Sequence, residues 1–174
     1  MSEVADRDTA VGEFNRKRDE YQKSYDAVPD DAMRYVPQGE DYTLGGLVVH
    51  VTDVILHYTH ALDEMTGAGF QQVRVIDPED DAKRERDRMI GEGFGGGERA
   101  GVFQDMRGAH QVIEGKVRAL SAEEYSRKAP VLYGGDAQDP YPTDAGDILG
   151  WLTDHYQEHI DQVAGLLAKW KQSH

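Results

Sequence analysis

Two histidines near the carboxyl end have the spacing of half a metal site. His155 and His159 are four residues apart in a segment that also carries Leu152, Val163 and Leu166 at helical spacing. Residues four apart stack on one helix face, about 6 Å apart along the axis, so both imidazoles should point toward the core. Imidazole suits zinc, nickel, copper and iron, and two such ligands leave a site incomplete. The pair therefore predicts a metal ion in a helical bundle, with a third ligand from a facing helix.

The third ligand has several candidates on two other predicted helices. They are His50, His57, His60 and His110. His50 shares a helix face with the apolar Leu47, Val54 and Ala61, and His57 lies on a neighbouring part of that face. Counting the helical rise from the predicted helix starts does not separate the two, because the result depends on which residue begins the last helix. Spacing alone therefore does not decide whether His50 or His57 is the third ligand.

The composition limits what such a site can be made of. The chain has no cysteine, which excludes disulfides, cysteine-based zinc sites and a catalytic thiol of its own. Any metal must be held by histidine or a carboxylate, and any thiol must come from a second molecule. Acceptors for the free N–H groups of ligating histidines are available in the same segments. They are Asp53, Asp154, Glu158 and Asp161.

The charge balance argues against two classes of partner. The net charge of −14 disfavours both nucleic acid and anionic membranes as partners. No apolar run reaches the roughly 18 residues that a membrane span requires. The first residues also lack the basic start and apolar stretch of a signal peptide, so we expect a cytoplasmic protein.

Helical periodicity dominates the elements that must position these residues. It predicts one domain over residues 1–174 with four long amphipathic helices and no convincing alternating strand. The predicted helices are Thr9–Val28, Leu44–Met65, Glu98–Leu120 and Asp144–Lys171. The expected fold is all-α, an up-and-down four-helix bundle with the metal site in its core. Residues 121–143 are expected to form a long connection.

Aromatic residues are scattered near the predicted site. Their spacings are those of core or rim positions more often than of a binding site, although together they could line a pocket. They are Tyr42, Tyr58, Tyr133, Tyr141 and Trp151.

Two segments resemble motifs of the DinB/YfiT-like superfamily of four-helix-bundle metalloenzymes. The segment Thr43–His50 resembles the second-helix motif, in which a Ser or Thr cap is followed seven residues later by a metal-ligating histidine. The segment Asp154–Gln162 resembles the last-helix motif with its H-x-x-x-H pair. The resemblance extends from the first helix to the last. It implies that His50 completes the ligand set with His155 and His159.

The resemblance also implies a class of chemistry. The variant Leu44-Gly45-Gly46-Leu47 is similar to the branch near the mycothiol-dependent maleylpyruvate isomerases, and characterised activities of the superfamily are mostly metal-dependent thiol chemistry. We therefore expect a divalent-metal, thiol-dependent S-transferase or isomerase that acts on a small electrophile. Zinc or nickel is the expected metal, with iron or manganese as alternatives, and a low-molecular-weight thiol is the expected cosubstrate. Homodimers are common in the superfamily and are expected here on that ground.

Two other functions remain open at this stage. One is a non-catalytic, metal-stabilised stress-response bundle. The other is a metal-dependent hydrolase, which differs from the first expectation only in its nucleophile.

Overall fold

The structure, a computed structural model, describes residues 3–174 and is mostly helical. Its helices are α1 (Glu3–Ser24), α2 (Leu44–Gly67), α3 (Asp81–Glu92), α4 (Arg99–Ala119), α5 (Ala122–Ser126) and α6 (Ala145–Ser173). Single 3₁₀ turns cover Asp30–Ala32 and Gly96–Glu98. None of these helices is both long and apolar enough to cross a membrane.

The two helices that carry the candidate ligands begin at strong caps. The Thr43 hydroxyl accepts a hydrogen bond from the Gly46 amide at 2.8 Å and starts α2. At the start of α6, Asp144 and Asp147 exchange side-chain and backbone hydrogen bonds in a capping box. Such caps satisfy backbone N–H groups that a helix start leaves unpaired. Both helices therefore begin where the sequence predicts.

Helices α1, α2, α4 and α6 form a four-helix bundle. Facing side chains show that α2 and α6 run in opposite directions: His50 with His155 and Tyr58 with Trp151. Facing side chains of α1 and α4 show the same relation: Asn15 with His110 and Tyr25 with Phe103.

The predicted up-and-down order of the bundle is wrong, because α2 and α4 run in the same direction. The end of α3 lies at the start of α2, where both the amide and the hydroxyl of Thr43 donate to the Ile90 carbonyl. Thus α3 carries the chain back along α2 before α4 begins. Near the other ends of α2 and α4, Lys116 pairs with Asp63 at 2.7 Å. A long crossover connection of this kind allows neighbouring parallel helices in a bundle.

The expectation of a chain without strands is also wrong. A three-stranded sheet is formed by β1 (Val73–Val75), β2 (Ala129–Tyr133) and β3 (Tyr141–Thr143), with β1 parallel and β3 antiparallel to β2. Residues 121–143, predicted as a connection, thus contain α5 and two strands. The sheet is small, and β2 places Tyr133 against the side chains of α2 and α6.

Two glycines at the start of α2 allow close contact with the end of α3 and with Phe94 just beyond it. A Cβ on Gly45 would lie 2.8 Å from the Phe94 ring, and one on Gly46 would overlap the Ile90 carbonyl oxygen. Gly in a helix interior costs roughly 1 kcal/mol relative to Ala, and here it removes a steric conflict. This contact lies one turn before His50 and helps to set the position of that residue along α2.

Candidate metal centre

The structure brings three histidines together between α2 and α6. The Nε2 atom of His155 lies 3.1 Å from that of His50 and 2.9 Å from that of His159. One ligand nitrogen from each residue can be chosen so that all three lie within 4.8 Å of one another. The predicted histidines thus meet, and His50 is the residue of α2 that faces the pair.

Burial keeps the imidazoles neutral. It lowers the pKa of His50 to about 4 and that of His155 to about 3, and each is lowered further by the neighbouring His159. Burial also lowers the pKa of His159, against an opposing effect of its hydrogen bond to Gln162. A neutral imidazole has one N–H group and one free lone pair, and the lone pair is what a metal binds.

The orientation of His159 is fixed by a neighbour on the same helix. The Nδ1 atom of His159 lies 2.8 Å from Oε1 of Gln162, an oxygen that can only accept. The proton of a neutral His159 therefore resides on Nδ1, and its Nε2 lone pair points toward the other two rings. Ligating histidines are typically held by such an outer hydrogen bond.

Hydrogen bonds among the three rings cannot satisfy all three Nε2 atoms well. His155 Nε2 is close to two other Nε2 atoms, but it can carry only one proton. One cation shared by the three lone pairs would satisfy them together. In a tetrahedral zinc site with Zn–N bonds of about 2.0 Å, neighbouring nitrogens lie about 3.3 Å apart, close to the two short separations here. The donor set therefore fits a divalent metal such as zinc.

The triad is more exposed than the predicted core position. His159 is buried, whereas His50 and His155 are partly exposed. Tyr42 covers part of the site, since its ring lies 4.6 Å from the His50 ring at an interplanar angle of 30°. The sequence pattern placed both imidazoles of α6 toward the core, but the structure leaves the triad at the junction of α2 and α6, reachable by solvent.

The other histidines of the described chain do not join the triad. His57, the alternative that spacing left open, has its Nδ1 atom 2.7 Å from Asp77. His60 lies 3.1 Å from the Ile76 carbonyl oxygen through its Nε2 atom. Both therefore have partners between α2 and the segment that follows β1.

His110 is fully buried on α4 and contacts α6 through Tyr156. Its Nε2 lies 2.7 Å from Oδ1 of Asn15, and its Nδ1 lies 2.8 Å from the hydroxyl of Tyr156. Its ring stacks on Phe14 with centroids 3.7 Å apart. Both ring nitrogens are satisfied, so this histidine is part of the core.

The acidic residues expected around the ligands have other roles. Asp53 pairs with Arg86 at 2.7 Å and with Lys83 at 3.6 Å. Asp154 and Glu158 are exposed, and Asp161 accepts a hydrogen bond from Gln157. The sequence reasoning missed Gln162, which holds His159. The available signal was its position three residues after a ligand, because such pairs are neighbours on a helix surface.

Comparisons with known proteins agree with this fold. The sequence profile of the DinB superfamily matches residues 13–163. The mycothiol-dependent maleylpyruvate isomerase is similar in structure, with a TM-score of 0.66 and 11% identity, over 90% of this chain and 60% of that protein. This chain thus spans less than two thirds of the isomerase. No curated protein matches the chain in sequence.

Two further solved structures have the same fold over nearly the whole chain. YfiT from Bacillus subtilis, described as a probable metal-dependent hydrolase with an unusual four-helix bundle topology, has a TM-score of 0.69 and 13% identity, over 95% of this chain and 87% of YfiT. An uncharacterized protein from Clostridium difficile has a TM-score of 0.62 and 16% identity, over 95% of both chains. At these identities the similarity shows the fold alone.

Proposed function

Because the chain belongs to the DinB superfamily, we propose that it is a divalent-metal enzyme that transfers a thiol to a small electrophile, or isomerises that electrophile with the help of a thiol. The observation that carries the proposal is the convergence of three neutral imidazoles at a place that solvent can reach. Three nitrogen ligands with open positions are typical of catalytic zinc sites, whereas structural sites are closed by four protein ligands.

His50, His155 and His159 would hold the metal. Zinc or nickel suits three imidazoles best, and iron or manganese are the alternatives. A bound divalent ion would lower the pKa of a coordinated thiol or water, so that loss of its proton to solvent leaves a nucleophile at neutral pH. The contribution of the chain is positional: Gln162 orients His159, and Tyr42 covers one side of His50.

A thiol is proposed as the nucleophile for two reasons. The chain has no cysteine, so thiol chemistry at this site requires a cosubstrate. In addition, one solved structure with this fold is a mycothiol-dependent isomerase. The proposed substrate is therefore a small electrophile, and the proposed cosubstrate is a low-molecular-weight thiol.

The test is turnover by protein that was purified without an affinity tag and loaded with zinc or nickel. Mycothiol, bacillithiol and glutathione are each offered with a generic electrophile, and both thiol consumption and conversion of the electrophile are followed, because an isomerase regenerates its thiol. We expect metal-dependent turnover with at least one thiol, its loss in His155→Ala, and its retention in His57→Ala. If fully loaded protein neither consumes a thiol nor converts the electrophile in the presence of one, the thiol-dependent function is wrong.

Hydrolysis is the second candidate. The exposure of His50 and His155 would allow water to reach the metal, and YfiT is described as a probable metal-dependent hydrolase. Activated ester and amide substrates, tested without thiol, separate the two functions. Metal-dependent hydrolysis together with no thiol consumption would favour this candidate.

A non-catalytic role has its own structural support. The triad connects α2 to α6, so a bound ion would hold two helices of the bundle together. In that case loaded protein turns over neither class of substrate, yet metal raises the midpoint of thermal unfolding in the wild type and not in His155→Ala.

A further inference from the structure

Four aromatic rings form an open groove between the sheet and the helices that carry the triad. This aromatic groove is lined by Tyr58, Tyr133, Tyr141 and Trp151 and has a volume of about 370 Å³. Trp151 contacts each of the other three rings, with centroid distances between 5.6 and 6.5 Å. The groove thus brings together residues from α2, β2, β3 and α6.

The four rings pack against one another and still leave aromatic surface accessible in the groove. The interplanar angles of the four contacting ring pairs lie between 44° and 76°, so no two of these rings stack face to face. Tyr141 is 56% exposed, and the other three rings are partly exposed. The groove therefore offers a ligand contacts with several aromatic rings at once.

The rings of the groove favour a cation. The face of an aromatic ring is the negative pole of its quadrupole, and it attracts cations within about 6 Å. Burial raises the pKa of Tyr133 to about 12, so its phenol stays neutral. His57, which is paired with Asp77, packs against Tyr58 and Tyr133. The chain as a whole carries a charge of −14.

The lining also indicates which kind of cation. A primary ammonium has three N–H groups that need acceptors, whereas a quaternary ammonium has none and is bound by ring faces alone. Among the described residues, no carboxylate lines the groove. The hydroxyl of Tyr133 is already engaged with Thr143 at 2.8 Å. An aromatic lining whose Tyr133 phenol is already engaged suits methylated nitrogen.

We propose that the aromatic groove binds a quaternary ammonium group such as a trimethylammonium head. Trp151 lies one helical turn before His155, about 6 Å along the axis of α6. The groove therefore recognises the cationic end of a small substrate whose other end reaches the triad. The role in substrate recognition rests on the function proposed above, but the binding itself needs no metal.

The first experiment measures binding to metal-free protein. Choline and tetramethylammonium are titrated and observed through the relaxation of their N-methyl protons, alongside the neutral isostere of choline in which a tert-butyl group replaces trimethylammonium. We expect choline to bind about tenfold more tightly than the isostere, because several rings each favour the charge by roughly 0.5–1 kcal/mol. Equal binding of the two, or no binding of either cation, overturns the proposal.

Four variants locate the site. Trp151→Leu should abolish choline binding, and Tyr141→Ala should weaken it severalfold in a variant that folds, since Tyr141 is largely exposed. Tyr133→Phe keeps the ring face and loses only the hydroxyl, so it should retain binding. Trp170→Leu removes the other tryptophan, which lies outside the groove, and should change nothing. Wild-type affinity in both Trp151→Leu and Tyr141→Ala would place the ligand elsewhere and overturn the proposal.

A pair of variants separates this proposal from that of the metal. His155→Ala should lose metal and keep choline binding, whereas Tyr141→Ala should keep metal and weaken choline binding. If metal binding fails in the wild type while choline still binds, the proposed enzyme function is wrong and the groove stands. If metal binds and choline does not, the proposal for the groove is wrong and the proposed enzyme function is unaffected.

Discussion

Two groups of residues beside α6 contain buried or half-buried histidine, and only one of the groups is suited to a metal. The triad joins three nitrogens of the same kind, which compete for protons. In the His110 cluster (Asn15, His110 and Tyr156), each ring nitrogen of His110 meets a partner of complementary type: Nε2–H can donate to Asn15, and Nδ1 can accept from Tyr156. Burial lowers the pKa of histidines in both groups.

The comparison teaches that burial and a shifted pKa do not by themselves mark a functional histidine. His110 is the more deeply buried, and it is the one whose hydrogen bonds are complete. The triad differs because its hydrogen bonding is incomplete. Three ring nitrogens meet at one point, and they carry too few protons to be satisfied by one another. The following predictions test that distinction, from the largest expected effect to the smallest.

Replacing His155 should have the largest effect. It is the central nitrogen of the triad, so His155→Ala should weaken zinc binding by on the order of a thousandfold, since each ligand of a protein zinc site contributes several kcal/mol. Elemental analysis of tag-free protein and a competition titration measure this. His110→Ala is the matched control and should keep one metal per chain. Loss of metal in His110→Ala with retention in His155→Ala would mean that the metal binds at the His110 cluster and not at the triad.

Replacing His110 should mainly cost stability. His110→Ala leaves a cavity beside Phe14 and removes the partners of Asn15 and Tyr156, so unfolding should become easier by about 3 kcal/mol. Denaturant unfolding of metal-free protein gives the value. His57→Ala, at a partly exposed position of α2, should cost less than about 1 kcal/mol. Similar losses in the two variants would mean that the His110 cluster is not a special part of the core.

The hydrogen bond that orients His159 should have an intermediate effect. Gln162→Ala should lower metal affinity by about 10–100-fold, the usual cost of removing an outer partner of a ligating histidine. Gln157→Ala on the same helix is the control, because Gln157 contacts Lys17 and Asp161 and not the triad. Equal metal affinity in both variants would show that Gln162 does not orient the ligand.

The smallest predicted effect, counted per pH unit, is a change in acid sensitivity. Burial, with a smaller contribution from Arg18, lowers the pKa of His110 to about 3, whereas an unfolded histidine titrates near 6.5. Between about pH 6.5 and pH 3 the unfolded state takes up a proton that the folded state does not. The stability due to neutral His110 is therefore complete above about pH 6.5 and falls by up to about 1.4 kcal/mol per pH unit as the pH drops toward 3.

His110→Phe, which keeps a ring beside Phe14, should show a shallower loss of stability than the wild type between about pH 6.5 and pH 4. Unfolding free energies of the two metal-free proteins across this range are the measurement. The histidines of the triad titrate in both proteins, so the difference isolates His110. Parallel curves would mean that His110 is protonated in the folded state at these pH values.

The sequence predicted the long helices because their ends carry local signals. Thr43 and Asp144 are caps, and α2 and α6 begin immediately after them. The predicted end of α1 at Val28 was too late, since Tyr25 and Val28 are buried in the turn after the helix and continue its apolar pattern.

The sheet and the helix order depend on contacts between distant parts of the chain. Strand β1 has only three residues, and β2 contains Pro130, which cannot donate to a ladder. Their pairing joins Val73 to Val131, a relation that no local pattern encodes. The return of the chain along α2 likewise depends on where α3 packs. Neither the charge nor the length of α3 indicates where it packs.

The site was partly predictable because some of its geometry is local to one helix. The spacing of His155 and His159 follows from helix geometry alone, but the choice of His50 over His57 needed the family resemblance. Gln162 was missed because carboxylates seemed the natural acceptors, yet Asp53 is drawn away by Arg86 and Lys83. The identity of each partner depends on rotamers, which sequence spacing does not fix.

The tight junction between Gly46 and the Ile90 carbonyl has a consequence for how this protein tolerates mutation. His50 lies one turn beyond that junction, so a side chain at position 46 would push α2 away from α3 and displace the ligand without touching it. A complete substitution survey scored on metal content should therefore rank Gly45 and Gly46 beside the histidines as positions that accept almost no replacement. Loss of metal after replacement of Gly45 or Gly46 would result from a displaced helix, whereas loss after replacement of a histidine would result from a missing ligand.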